Sequence, residues 1–143
     1  MQKEEVKSWE NYDKKIPENF SELKAEIDQI ISQENTDSTH KIRVLNDLLR
    51  VHSIGGDILI TAGIHAMTQN FQQRTIQAIR AFDAFTPDND PYKEHDFGSL
   101  HLDKQSIYFK IDYYDKDKEC GSESPDNPSI TSRVMTVMFS HEY

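Results

Sequence analysis

The chain has 143 residues, with 16 Lys and Arg against 25 Asp and Glu, a formal charge of -9 and a mean hydropathy of -0.75. That length fits one domain burying roughly 70% of the surface its unfolded form exposes, and the acidity argues against direct binding to nucleic-acid phosphates, whose affinity comes from Lys and Arg displacing counterions. No apolar run approaches the ~18 residues of a membrane span, and the single cysteine, Cys120, excludes an internal disulfide framework and a multi-cysteine zinc site, which fits a reducing compartment and a cytoplasmic location.

Residues 1–17 read as a flexible, solvated tail, and residues 18–143 as a single α+β domain. From Phe20, the apolar positions Phe20, Leu23, Ile27, Ile30 and Ile31 recur at helical spacing. After a polar interruption, Ile42, Leu45, Leu48 and Leu49 mark a second helix ending near Gly55, with Arg43, Asn46, Asp47 and Arg50 away from its stripe. Ile58, Leu59 and Ile60 form a short continuous apolar run that suits a strand covered on both faces. Thr68 is placed to cap a third helix with Phe71, Thr75, Ala78, Ile79 and Phe82 on its stripe, and Pro87 ends it by Phe85.

Residues 95–102 and 107–114 alternate as two strands of a hairpin. With the turn centred on Lys104 and Gln105, Leu100 faces Phe109 and Gly98 faces Ile111 on an apolar side. The opposite face then carries His95, Phe97, Ser99 and His101 against Tyr114, Asp112, Lys110 and Tyr108. Residues 129–142 suit a helix or a strand; Asn127-Pro128 and the spacing of Ile130, Val134, Val137 and Met138 favour the helix. The expected architecture is a small antiparallel sheet with a central hairpin, packed against helices on one face.

Candidate chemistry gathers before and on the hairpin. Asp88, Asn89, Asp90, Glu94, His95 and Asp96 precede it, and Lys110, Asp112, Tyr114 and Asp115 lie on or just beyond its second strand. Lys110 beside Asp112 holds a carboxylate ionised, and an ordinary histidine titrates near neutral pH. No histidine pair has metal-ligand spacing; Asp88-Asn89-Asp90 opens like a calcium loop but lacks its glycine and bidentate Glu, so a turn is the simpler reading, and no metal or cofactor is expected. Cys120 neighbours an acid, which disfavours the reactive thiolate. Arg133 is expected to pair with one of the acids.

The segments Asn46-Asp47, Ile60-Thr61-Ala62-Gly63, 82–98 with Asn-Asp-Pro-Tyr-x-Glu-His-Asp-Phe-Gly, Lys110-Ile-Asp-Tyr-Tyr-Asp, Gly121-Ser122 and 131–143 together resemble a family of small bacterial proteins known only as a domain of unknown function, common on plasmids and other mobile elements. The resemblance covers about 46–143. Its polar signature falls on Asn89, Asp90, Glu94, His95, Asp96, Lys110, Asp112, Tyr113, Asp115, Arg133, Glu142 and Tyr143. It implies no activity, cofactor or substrate.

Two functions remain open. One is an acidic binding protein of a mobile element that engages a basic host or defence protein through the segments 88–96 and 112–126. The other is a small enzyme or metal-dependent ligand binder that uses His95, Asp112 and Lys110. An exposed sheet face with Phe97 and Tyr108 would also suit a homodimer.

Overall fold

The computed structural model describes residues 7–8, 20–33 and 37–143. Helix α1 (Phe20–Ser32) packs on α2 (Ser38–His52), which in turn packs on α4 (Gln69–Arg80). One short helix, α3 (Ala62–His65), was not expected; it lies against the last strand. The strands are β1 (Lys7–Ser8), β2 (Asp57–Ile60), β3 (Phe97–Leu102), β4 (Gln105–Tyr114) and β5 (Ser132–Phe139), in the sheet order β1-β2-β5-β4-β3. The α+β architecture is as expected, with β2 and β5 parallel inside an otherwise antiparallel sheet. Apart from Lys7 and Ser8, which pair with Ile60 and Leu59, the segment expected as a tail lies largely outside the described residues.

The final segment is a strand and not the expected helix. β5 lies between β2 and β4, and Val134 to Phe139 are buried on both faces. A strand covered on both sides loses its period-two signature, which is why Val134, Val137 and Met138 imitate helical spacing. The β-branched Val134, Thr136 and Val137 fit that strand.

The hairpin exists, and its faces alternate as expected, but its register differs by two residues. Leu100 faces Ile107 and Gly98 faces Phe109, because the turn is Asp103-Lys104 and not Lys104-Gln105. Both turn residues have positive φ, 50° and 65°, the backbone of the tight two-residue turn that matches strand twist. Arg74 of α4 fixes this turn by donating from both terminal nitrogens to the Asp103 carboxylate, at 2.9 and 2.6 Å.

The core forms between the helices and one sheet face. Ile58, Ile60, Ile107, Phe109, Ile111, Met135 and Val137 meet Leu49, Ile64, Phe71, Ile76 and Ile79. Gly98 lets the layers close: a Cβ there would lie 2.3 Å from the Phe109 ring and 2.9 Å from Phe82. Thr68 caps α4 as expected, its hydroxyl accepting from Phe71 N at 3.1 Å.

Candidate functional site

Asn46, Asp47 and Arg50 share one side of α2 by helical spacing. The sequence places them off the apolar stripe, yet Asn46 is fully buried and Arg50 is 5% exposed. Arg50 closes the end of α4, with Nη1 donating to Ile79 O at 3.1 Å and to Phe82 O at 2.7 Å. A cation at a helix C-terminus meets the negative end of its dipole and its unpaired carbonyls. The guanidinium also lies over Phe85, 5.2 Å from the ring centre, and Nη2 donates to Asp47 Oδ1 at 3.1 Å.

Against this side of α2 lies the loop leading into β3. Thr86 N donates to Asn89 Oδ1 at 2.8 Å, and Asn89 Nδ2 donates to Ala84 O at 2.9 Å. Asp90, 5% exposed, points inward and accepts the backbone N–H groups of Glu94 at 3.1 Å and His95 at 3.2 Å through Oδ1. From α2, Arg43 Nη1 donates to Lys93 O at 2.8 Å and Asn46 Nδ2 to Glu94 O at 2.9 Å. Lys93 and His95 both have positive φ, 60° and 56°. Such backbone costs about 1–3 kcal/mol per residue and persists where surrounding bonds overdetermine it.

His95 is therefore not on β3 and does not share a face with Lys110. The expected strand from residue 95 begins at Phe97. The imidazole stacks on Phe85, ring centres 3.8 Å apart, on the helix side of the sheet. Its Nδ1 lies 2.9 Å from Asp47 Oδ1, and its Nε2 is 3.7 Å from Asp90 Oδ2. On the other face, Lys110 Nζ is 2.9 Å from Asp112 Oδ2, at ion-pair distance though outside hydrogen-bond geometry. His95, Lys110 and Asp112 are thus not brought together as one site.

A second network joins α2 to the sheet. The Tyr113 hydroxyl donates to Glu94 Oε1 at 2.7 Å and accepts from Asn46 Nδ2 at 2.7 Å. Burial raises the Tyr113 pKa well above the ordinary phenol range, and the Glu94 carboxylate raises it further, so the phenol stays protonated. Arg133, 2% exposed, takes neutral acceptors and not the expected carboxylate: Nε donates to Asn46 Oδ1 at 2.7 Å and Nη2 to Pro125 O. Its guanidinium lies 5.0 Å from the Tyr113 ring centre, and burial lowers its pKa to about 10. Asn46, with donors and acceptor all engaged, links the loop, β4 and β5.

The remaining candidates are separate. Asp88 is exposed, and Asp96 is half-buried, its pKa raised by burial and by the nearby carboxylates of Glu94, Asp90 and Asp112. Tyr114 pairs with Ser132 in the sheet, and Asp115 caps the next turn by accepting from Glu119 N at 3.1 Å. Sequence reasoning missed the buried role of Arg50, the contacts of the half-buried Asp47 with Arg50 and His95, and the clasp at Glu142. That carboxylate accepts from Thr61 Oγ1 at 2.7 Å, Gly63 N at 3.2 Å and Phe139 N at 2.8 Å. A Cβ at position 63 would lie 2.7 Å from Glu142 Oε2, so a side chain there would push the carboxylate out of this position. The near-contiguous Ile60-Thr61-Ala62-Gly63 and the terminal Glu142-Tyr143 were the available signal.

The arrangement binds backbone and neighbouring side chains. Asp47, Asp90, Glu94, His95 and Tyr113 each spend polar atoms on holding the loop to α2. Among the described residues, no group of His, Cys, Asp and Glu is arranged to hold a metal ion, and no helix is long and apolar enough to cross a membrane. No curated protein and no solved structure matches the chain. A family model described as "Protein of unknown function (DUF3768)" matches residues 60–142, which include the loop, the hairpin, β5 and the Glu142 clasp. The chain belongs to the DUF3768 family.

Proposed function

We propose that this protein is a non-enzymatic binding module that engages a basic protein partner through the loop between α4 and β3. The observation that carries this reading is the division of labour within the loop. Its inward groups, Asn89, Asp90, Glu94 and His95, fix the backbone, while Asp83, Asp88, Pro91 and Tyr92 face solvent, Tyr92 being 76% exposed. A rigid loop presenting an aromatic side chain loses little entropy on association, and tyrosine is enriched among the residues that dominate binding energy. The net charge of -9 and the flanking acids suit a basic partner and steer its approach.

A chain carried on a mobile element would meet the proteins of its host, and a basic host or defence protein is the partner class of this proposal. Asp90 belongs to the internal clamp and not to the contact surface, so the acids that meet the partner are Asp83 and Asp88. The test is capture of basic proteins from host extract on the immobilised full chain across a salt series. Binding should weaken as salt rises and should be lost in Tyr92→Ala, with thermal stability unchanged. Capture indifferent to salt and to Tyr92→Ala would contradict the reading.

A further inference from the structure

β3 is an edge of the sheet, and the hairpin register determines where its backbone groups point. Leu102 faces Gln105 across the turn, and Asp96 O accepts from Ile111 N at 2.8 Å. Antiparallel pairs alternate between bonded and non-bonded, so Gly98, Leu100 and Leu102 exchange bonds with β4. The N–H and C=O groups of Phe97, Ser99 and His101 point away from it, and among the described residues nothing bonds them.

Edge strands of this kind are usually blunted by a charge, a proline, a bulge or a covering element. The strand Phe-Gly-Ser-Leu-His-Leu has no acid, lysine, arginine or proline, and its ladder with β4 runs without a bulge. Ser99 and His101 are exposed. In a chain of net charge -9, this is an edge along which two copies approach without placing carboxylates in register.

We propose that β3 pairs antiparallel with β3 of a second copy of this chain, with Ser99 facing Ser99 on a two-fold axis, so that the sheet continues through the dimer. A strand paired antiparallel with itself satisfies that symmetry by construction. Centring on Ser99 sets each outward residue opposite another outward residue: Phe97 of one copy faces His101 of the other, and each facing pair exchanges two bonds. A shift of two residues in either direction leaves an outward residue of each strand unpaired. The same register joins aromatic groups. Phe97 lies 5.1 Å from Tyr108 and 6.4 Å from Tyr143 between ring centres, on the side from which Ser99 and His101 project. His101 of the second copy would therefore extend this cluster across the axis.

Sedimentation equilibrium of the full chain tests the pairing. The wild-type protein is expected at about twice the 16.6 kDa of one chain. Ser99→Pro removes an N–H that β4 does not use, as edge strands tolerate, and is expected to halve that mass while the chain keeps its folded circular dichroism spectrum and a cooperative melt. If Ser99→Pro does not fold, Ser99→Lys and Ser99→Glu replace it: each alone should sediment as a single chain, and their equimolar mixture at the doubled mass. A single-chain mass for the wild type overturns the proposal, and so does a doubled mass that survives these substitutions. A monomeric wild type leaves the Tyr92 loop reading intact, since that reading does not use the outward backbone groups of Phe97, Ser99 and His101.

Discussion

Asp90 pins His95 through its backbone: Asp90 Oδ1 accepts the His95 N–H at 3.2 Å, and Asp90 Oδ2 lies 3.7 Å from His95 Nε2. That hydrogen bond holds a left-handed backbone and so sets the position from which the ring stacks on Phe85. The carboxylate is therefore the internal pin of the loop, with Asp47 gripping the same ring from α2 at 2.9 Å.

Asp90→Ala should accordingly cost about 1–3 kcal/mol, the penalty for leaving buried donors unpaired. The loss should be local as well as global. Hydrogen exchange at the Glu94 and His95 amides should accelerate beyond the change at β4 amides. Protection unchanged at those two positions would show that Asp90 is not the pin.

Asn46 and Arg133 form the second joint, and removing either strands buried partners of the other. Arg133→Ala and Asn46→Ala should each destabilise by about 2–4 kcal/mol. Their effects should fall short of additive in the double variant, because both break the same bond at 2.7 Å. Chemical denaturation of the four proteins measures this coupling, and full additivity would deny it.

Asp96 works in the opposite sense. Burial and the surrounding carboxylates raise its pKa above the ordinary 3.8, so the folded state holds the proton more tightly than the unfolded one. Its contribution to stability therefore falls as pH rises from the unfolded pKa through the raised folded value. Asp96→Asn should stabilise the protein at neutral pH, and the gain should vanish as pH drops below the unfolded pKa. Melting curves of both proteins across that range check the sign; a gain that grows in acid would contradict it.

Much of this fold was legible in local pattern. Helices α1, α2 and α4 followed from apolar spacing, and the faces of the hairpin followed from alternation in 95–102 and 107–114. The register failed at Asp103-Lys104 because lysine rarely signals a left-handed turn position, where glycine or asparagine is usual. β5 was hidden by burial on both faces, which erases periodicity. The site was located but not resolved: the titratable residues of 88–96 were identifiable, whereas their inward orientation depends on Asn46, Asp47 and Arg50. Those three look like a solvated stripe until the segment from Phe82 to His95, more than 30 residues away in sequence, packs against them. A single element's pattern records which side is polar, not what covers it.

Whether the loop presents Tyr92 to a basic protein is read by photo-crosslinking in host cells with benzoylphenylalanine in place of Tyr92. A discrete crosslinked species containing a basic protein is expected, diminished when Asp83 and Asp88 are both changed to Asn. Absence of any crosslink from position 92, with the same probe at Tyr108 on the opposite sheet face capturing a partner, would contradict it.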